Sequence, residues 1–188
     1  MSASPQHVVE QFAGQLSIPK DHVVGIRLVE SQGKLTANLQ GCGPIPDGTN
    51  NGMGTFTGNS LITYIEGKRC WANKIIFGDS GATALDKQMD PTKRQVFGAG
   101  DSATDISFVQ DATAMKLVIN RNKSELMCSA YAGLGAKWLI NPMFIKPKAQ
   151  LAAGYPCSTT GCVDAAGAKV PCYDEDGMAI PDQTDTVF

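Results

Sequence analysis

The chain has no strong excess of charge of either sign. Sixteen Lys and Arg stand against 18 Asp and Glu, for a formal net charge of −2. Without a basic field, nucleic acid is excluded as the expected partner. No stretch of 18 or more apolar residues occurs, so no segment reads as a membrane span. Met1 is followed by the polar Ser2, Ser4, Gln6 and His7 rather than an apolar core, so no signal peptide is read here. No two cysteines have C-x-x-C spacing, which argues against a zinc ribbon. What is present is globular: 188 residues, 43% hydrophobic and 18% charged, are enough for one domain with a real core.

The most informative stretch is Val96–Asn122. Val96-Phe97-Gly98-Ala99 reads as a buried strand, and Gly100-Asp101-Ser102-Ala103-Thr104-Asp105 as the turn that ends it. An apolar helix follows through Ile106, Phe108, Val109, Ala112, Ala114 and Met115, then a strand, Lys116–Asn120. This is a βαβ unit, and open α/β sheets bind ligands at the carboxyl ends of their strands. Asp101 and Asp105 are placed there. Three readings compete for them. Asp101 caps the helix while Asp105 supports its positive end. Alternatively, Gly98–Ala103 is a G-x-G-x-x-[GA] dinucleotide loop. A carboxylate inside that loop would repel a pyrophosphate, and Val118–Asn122 lacks the acidic residue that reading requires, so we set it aside. The third reading is an acidic cation site whose hard oxygens suit Mg²⁺.

On the third reading, GAGDSATD with its apolar helix, and the flanks DISFVQDA and LVINRNKSEL, resemble the last motif of the haloacid-dehalogenase-like (HAD) phosphatases, specifically their phosphoserine- and phosphorylcholine-phosphatase-like branch. The resemblance implies a three-layer α/β/α fold with a mainly parallel sheet. It also implies Mg²⁺ held by Asp101 directly, with Asp105 acting behind that ligand or through water. Ser2, before a helix expected from Pro5 to Leu16, matches the second motif, whose hydroxyl binds the transferring phosphoryl group. Lys68, in Glu66-Gly67-Lys68-Arg69, matches the third, with Lys74 as the alternative. The first motif, Asp-x-Asp-x-Thr, which carries the nucleophile, has no counterpart in the sequence. The N-terminal strands of the sheet are therefore expected to be missing. The expected activity is that of a C-terminal portion of an enzyme hydrolysing a small phosphomonoester through an aspartyl-phosphate. This chain alone is expected to be inactive, and self-association or a complementing N-terminal segment is the expected partnership. The alternative is a non-catalytic, secreted, HAD-derived binding module.

Smaller expectations complete the reading. Ser4 caps the first helix, and Val8, Val9, Phe12, Ala13 and Leu16 form its inward stripe. His22–Val29 is a continuous buried strand, and Leu35–Leu39 a short return strand. Gly41–Asn59 is a loop by composition, and Leu61–Ile65 an apolar run. Trp71, Ile75, Ile76 and Phe77 face inward from the helix that Lys68 opens, and a helical turn lies between Ala82 and Gln88. Lys123–Ala132 is a helix, and Lys137–Asn141 a short strand. Residues 1–141 form the partial hydrolase core, and 142–188 an irregular Cys/Pro-rich wrap with no visible repeat. A disulfide such as Cys157–Cys162 or Cys162–Cys172 closes the wrap, which favours a periplasmic or secreted location. Six reduced thiols are the competing reading. Asp174, Asp176 and Gly177 do not have EF-hand spacing and read as solvated turn residues.

Overall fold

The structure is a computed structural model that describes residues 1–48 and 62–188. Most of the Gly41–Asn59 loop, and Leu61 of the apolar run after it, lie outside the described residues. The chain divides into two compact units, Met1–Arg94 and Gln95–Phe188.

In the first unit, Ser2 to Pro5 run extended beside Val24 to Ile26. Ser2 N–H donates to Val24 O (2.8 Å), Ile26 N–H to Ser4 O (2.9 Å) and Gln6 N–H to Ile26 O (2.8 Å), a parallel pattern. The helix that follows, α1 (Gln6–Gln15), has Pro5 at its N-cap and no side-chain cap. Ser4 is therefore not the cap; its carbonyl is committed to Ile26. The expected stripe is also corrected. Val8, Phe12 and Leu16 are 48%, 65% and 74% exposed, while Gln6 and Ala13 are buried. The cause is Gln6. Its amide donates to Val23 O (3.0 Å) and accepts from Gly25 N–H (2.6 Å), and this clamp sets the rotation of the helix.

The expected strand over His22–Val29 divides in two. Its first half pairs with Ser2–Pro5. Its second becomes β1 (Leu28–Ser31), an antiparallel hairpin with β2 (Lys34–Leu39). The hairpin turn, Gln32-Gly33, has φ of 51° and 70°, the two positive values that a two-residue turn needs to match strand twist. This strand is half-buried to exposed rather than buried. Next comes α2 (Glu66–Ile76), which buries Lys68, Cys70, Trp71 and Asn73. Two ties fix its face. Cys70 is disulfide-bonded to Cys42, and Asn73 Nδ2 donates to Ala84 O (2.8 Å) and Asp86 O (3.1 Å). Val24 and Ala84 pack with Trp71 and that disulfide as the core of the unit. Ile76, expected inward, is 61% exposed because it lies in the last turn, past both ties. Ala82–Leu85 forms the expected turn as a single 3₁₀ segment.

The second unit contains a parallel sheet of three strands: β3 (Phe97–Gly100), β4 (Met115–Asn120) and β5 (Trp138–Pro142), in spatial order β3-β4-β5. The crossovers are α3 (Ile106–Gln110) and α4 (Ser124–Ala132). This is mixed α/β architecture compatible with a Rossmann-like fold. Strand alternation assigns the faces. Lys116, Val118, Asn120 and Trp138 are buried on the helix side, where Val109, Leu126, Met127 and Ala130 join the core. On the other face Phe97, Met115 and Leu139 are 52%, 45% and 46% exposed. The stretch Val96–Ala99 is thus a strand but not a buried one. It lies at a sheet edge, and its odd positions face away from the helices.

The tail is built into this core. Tyr155, Cys157, Cys172 and Ile180 are buried in the same cluster as α4. It also contains a tandem repeat that corrects the expectation of none. Cys162-Val-Asp-Ala-Ala-Gly-Ala-Lys-Val-Pro171 aligns with Cys172-Tyr-Asp-Glu-Asp-Gly-Met-Ala-Ile-Pro181. Each copy folds as the same small hairpin. Asp164 Oδ1 accepts from Ala166 N–H (2.9 Å) and Ala168 N–H (2.8 Å), and Asp174 Oδ1 from Asp176 N–H (3.0 Å) and Met178 N–H (2.8 Å). The first copy contains β6 (Cys162–Val163) and β7 (Lys169–Val170). Its disulfide, Cys162–Cys172, joins equivalent positions of the two copies.

All six cysteines are paired: Cys42–Cys70, Cys128–Cys157 and Cys162–Cys172. The last is one of the two expected pairings. Cys157–Cys162 is replaced by Cys128–Cys157, because Cys128 on α4 faces the tail. Three disulfides fit a protein matured in an oxidising, extracellular or secretory setting. Among the described residues, no helix is long and apolar enough to cross a membrane.

Gly161 lies between the two tail disulfides. A Cβ there would meet Cys157 Cα at 2.8 Å and the Sγ atoms of Cys128 and Cys172 at 3.0 Å. Gly161→Ala should therefore cost about 1–3 kcal/mol by overpacking. Faster amide exchange through Cys157–Cys172 is the expected readout, and unchanged exchange would contradict this packing.

Candidate functional site

The acidic turn sits at the carboxyl end of β3. Asp105 is buried, and its Oδ2 accepts from Asp101 N–H (3.0 Å), Ser102 N–H (3.2 Å) and Ser102 Oγ (3.3 Å). Ser102 is the N-cap of a 3₁₀ turn, Ala103–Asp105, that leads into α3, and Asp105 is its reciprocal partner in a capping box. The cap is therefore Ser102 rather than Asp101. The S-x-x-D pattern of a capping box was present in the sequence as its signal.

Asp101 is left pointing outward, with its side chain 41% exposed. Its Oδ2 accepts a hydrogen bond from Arg121 Nη1. Arg121 directly follows β4, so the pair bridges the carboxyl ends of neighbouring parallel strands. Only one guanidinium nitrogen is seen to engage Asp101, and Arg121 Nε is buried with no hydrogen-bond partner among the described residues. Reading the sequence missed Arg121, because its proximity to Asp101 follows from strand register: Gly100 pairs with Val118. Beside the turn lies a cleft of about 290 Å³, whose lining includes Ala103, Lys123, Ser124, Lys169 and the carboxylate-bearing Glu125.

Ser2 and Lys68 belong to the first unit. Ser2 Oγ accepts from Ser4 N–H (3.2 Å), and its carbonyl accepts a hydrogen bond from the buried Thr63 hydroxyl. Thr63 lies five residues before Lys68, so the segment leading into α2 is tied to Ser2. Lys68 is 6% exposed. Lys74, the alternative third-motif lysine, has a structural role. Its Nζ donates to Gly41 O (2.6 Å) and lies 4.9 Å from the Trp71 ring centroid.

Chemically, the turn carries two carboxylates, hard oxygen groups of the kind that Mg²⁺ takes from proteins, but Asp105 Oδ2 is engaged by Asp101 N–H, Ser102 N–H and Ser102 Oγ, and Asp101 Oδ2 by Arg121. Among the described residues, no three metal-ligating side chains cluster. No family model matches the sequence, and no curated protein or solved structure matches it either.

Proposed function

We propose that this chain carries the metal-binding turn of a Mg²⁺-dependent HAD-like phosphatase acting on a small phosphomonoester, with the nucleophilic aspartate on a segment outside the chain. The observation that carries the reading is the half-exposed Asp101 carboxylate beside the anchored Asp105, on one turn at the carboxyl end of a parallel strand. When bound, Mg²⁺ would neutralise charge on the phosphoryl oxygens. Asp101 would be its ligand. Asp105, through its bonds to Asp101 N–H and Ser102 N–H, orients that ligand and would reach the cation only through water. Arg121 shields Asp101 before the cation binds and afterwards presents a guanidinium suited to phosphate oxygens. By the resemblance alone, Ser2 would hydrogen-bond to the phosphoryl group and Lys68 would compensate its charge. The complete three-layer sandwich and a periplasmic location belong to the same proposal.

The Asp101–Arg121 pair favours a second reading, the non-catalytic module. In that case the pair is structural and no cation enters. Paramagnetic line broadening by Mn²⁺ on the full chain separates the two. The phosphatase reading expects broadening centred on Gly100–Asp105, reversed by excess Mg²⁺ and lost in Asp101→Asn. Arg121→Ala should strengthen binding up to about fivefold, the scale of an exposed ion pair. Absence of local broadening in both wild type and Arg121→Ala would leave the non-catalytic module. Phosphatase turnover by the pure chain would contradict placing the nucleophile elsewhere.

A further inference from the structure

Between β5 and the tail, the segment Met143–Gln150 carries the most prominent apolar projection of the second unit. Phe144 and Ile145 are adjacent and are 77% and 81% exposed. Lys146 and Lys148 follow them, both exposed. No Asp or Glu occurs between Glu125 and Asp164, so the charged side chains of that stretch are lysines alone, in a chain whose net charge is −2.

The projection is held at both ends. On one side β5 is paired with β4 in a register that runs as far as Asn120↔Pro142. On the other, Ala149 O accepts from Asn122 Nδ2 (3.1 Å), and Leu151 N–H donates to the buried Asp185 carboxylate (2.8 Å). Pro142 and Pro147 further restrict the segment. Two large apolar side chains are thus displayed on an anchored tip, with two exposed lysines following them in the chain.

We propose that this tip is a reversible docking site for an anionic lipid surface. Phe144 and Ile145 insert at the boundary between headgroups and acyl chains, while Lys146 and Lys148 contact the lipid phosphates. Apolar burial and charge attraction act together in such interfacial binding, and either alone is weak. The charge selects lipid headgroups of negative sign. The exposed aromatic and aliphatic pair favours a lipid surface over nucleic acid, whose phosphates offer no apolar phase to enter. Because the tip is anchored, little chain entropy is lost on docking.

Flotation of the full chain with vesicles tests this, comparing pure phosphatidylcholine with phosphatidylcholine containing 30% phosphatidylglycerol as the anionic probe. Partition should favour the anionic vesicles and fall at 0.5 M salt. Phe144→Ser with Ile145→Ser should lower it about a hundredfold, at about tenfold for each inserted side chain. Lys146→Ala with Lys148→Ala should lower it about 25-fold, at about fivefold for each lysine. All four residues are solvent-exposed, so the melting temperatures of the variants should match wild type and report intact folding. The proposal is overturned if the wild-type chain does not float with anionic vesicles, if the Phe144/Ile145 variant partitions as wild type does, or if binding ignores lipid charge and salt. A tip that serves a protein partner instead would show itself as the first of these results.

Discussion

Replacing Asp185 with Ala should destabilise the second unit by about 3–5 kcal/mol, the scale expected when charge-assisted hydrogen bonds are lost and their buried donors left unpaired. Asp185 is 1% exposed and stands three residues before Phe188. Its Oδ1 accepts from Tyr131 OH (2.6 Å) and Asn120 Nδ2 (3.0 Å), and its Oδ2 from Leu151 N–H (2.8 Å). One carboxylate thereby joins α4, the end of β4 and the start of the tail. Tyr131 OH in turn accepts from Thr186 N–H (2.9 Å) and Val187 N–H (2.8 Å), which returns the C-terminus to the same point. Burial first, and then the bond to Asp185, push the Tyr131 phenol above its usual range. Burial and the nearby Asp185 charge do the same for Tyr155. Both phenols therefore remain protonated donors across the pH range in which the protein would be handled. Asp185→Asn keeps the shape and part of the acceptor capacity, so about half the loss is expected. The measurement is amide exchange at Leu151, Thr186 and Val187, together with denaturant unfolding. If Asp185→Ala protects those amides as wild type does, the network is not what holds the tail.

Nothing local in the sequence marks Asp185. It stands among prolines and other acidic residues near a chain end, where a solvated role is the ordinary expectation. Its importance comes from three donors spread over Asn120 to Leu151, and only the packed tail brings them together. Arg121 is hidden for a related reason. Residues that follow two different strands become neighbours only when the parallel register is known. The βαβ unit itself was legible, because a Gly-rich turn separates a short apolar strand from a helix-period stretch. Its exposure was not, because a strand at a sheet edge and a strand at its centre can share the same apolar composition. The apolar stripe of α1 does not give its orientation, because the Gln6 amide, satisfied by Val23 and Gly25, sets it instead. The tandem repeat was fully legible: Cys, Asp, Gly and Pro recur at a spacing of ten residues. For the candidate site, the sequence located the acidic turn but did not separate its two carboxylates. Burial and backbone donors give Asp105 the anchoring role and leave Asp101 the outward one.

Removing the Cys128–Cys157 disulfide by a double Cys→Ala change should cost about 3–4 kcal/mol, more than removing Cys162–Cys172, at about 2.5–3 kcal/mol. The ranking follows from loop length, since the bonds span 29 and 10 residues. A longer loop leaves the unfolded chain more freedom to regain once the bond is gone. Location acts in the same direction. Cys128 and Cys157 are both fully buried, so truncating them also opens a void beside Tyr155 and Leu126 in the core cluster. By contrast, Cys162–Cys172 ties two hairpins that each retain an Asp-centred turn. In urea the Cys128/Cys157 variant should lose roughly 1–3 M of midpoint, taking the usual slope for a small unit. Equal midpoints for the two double variants would show that neither loop length nor burial governs the tail. Combining Asp185→Ala with the Cys128/Cys157 change should cost less than the sum of the two. Both ties hold the same tail against α4 and β4. Once one is lost and the tail separates, the other has less native structure left to stabilise, and contacting elements of one network depart from additivity by about 0.5–3 kcal/mol.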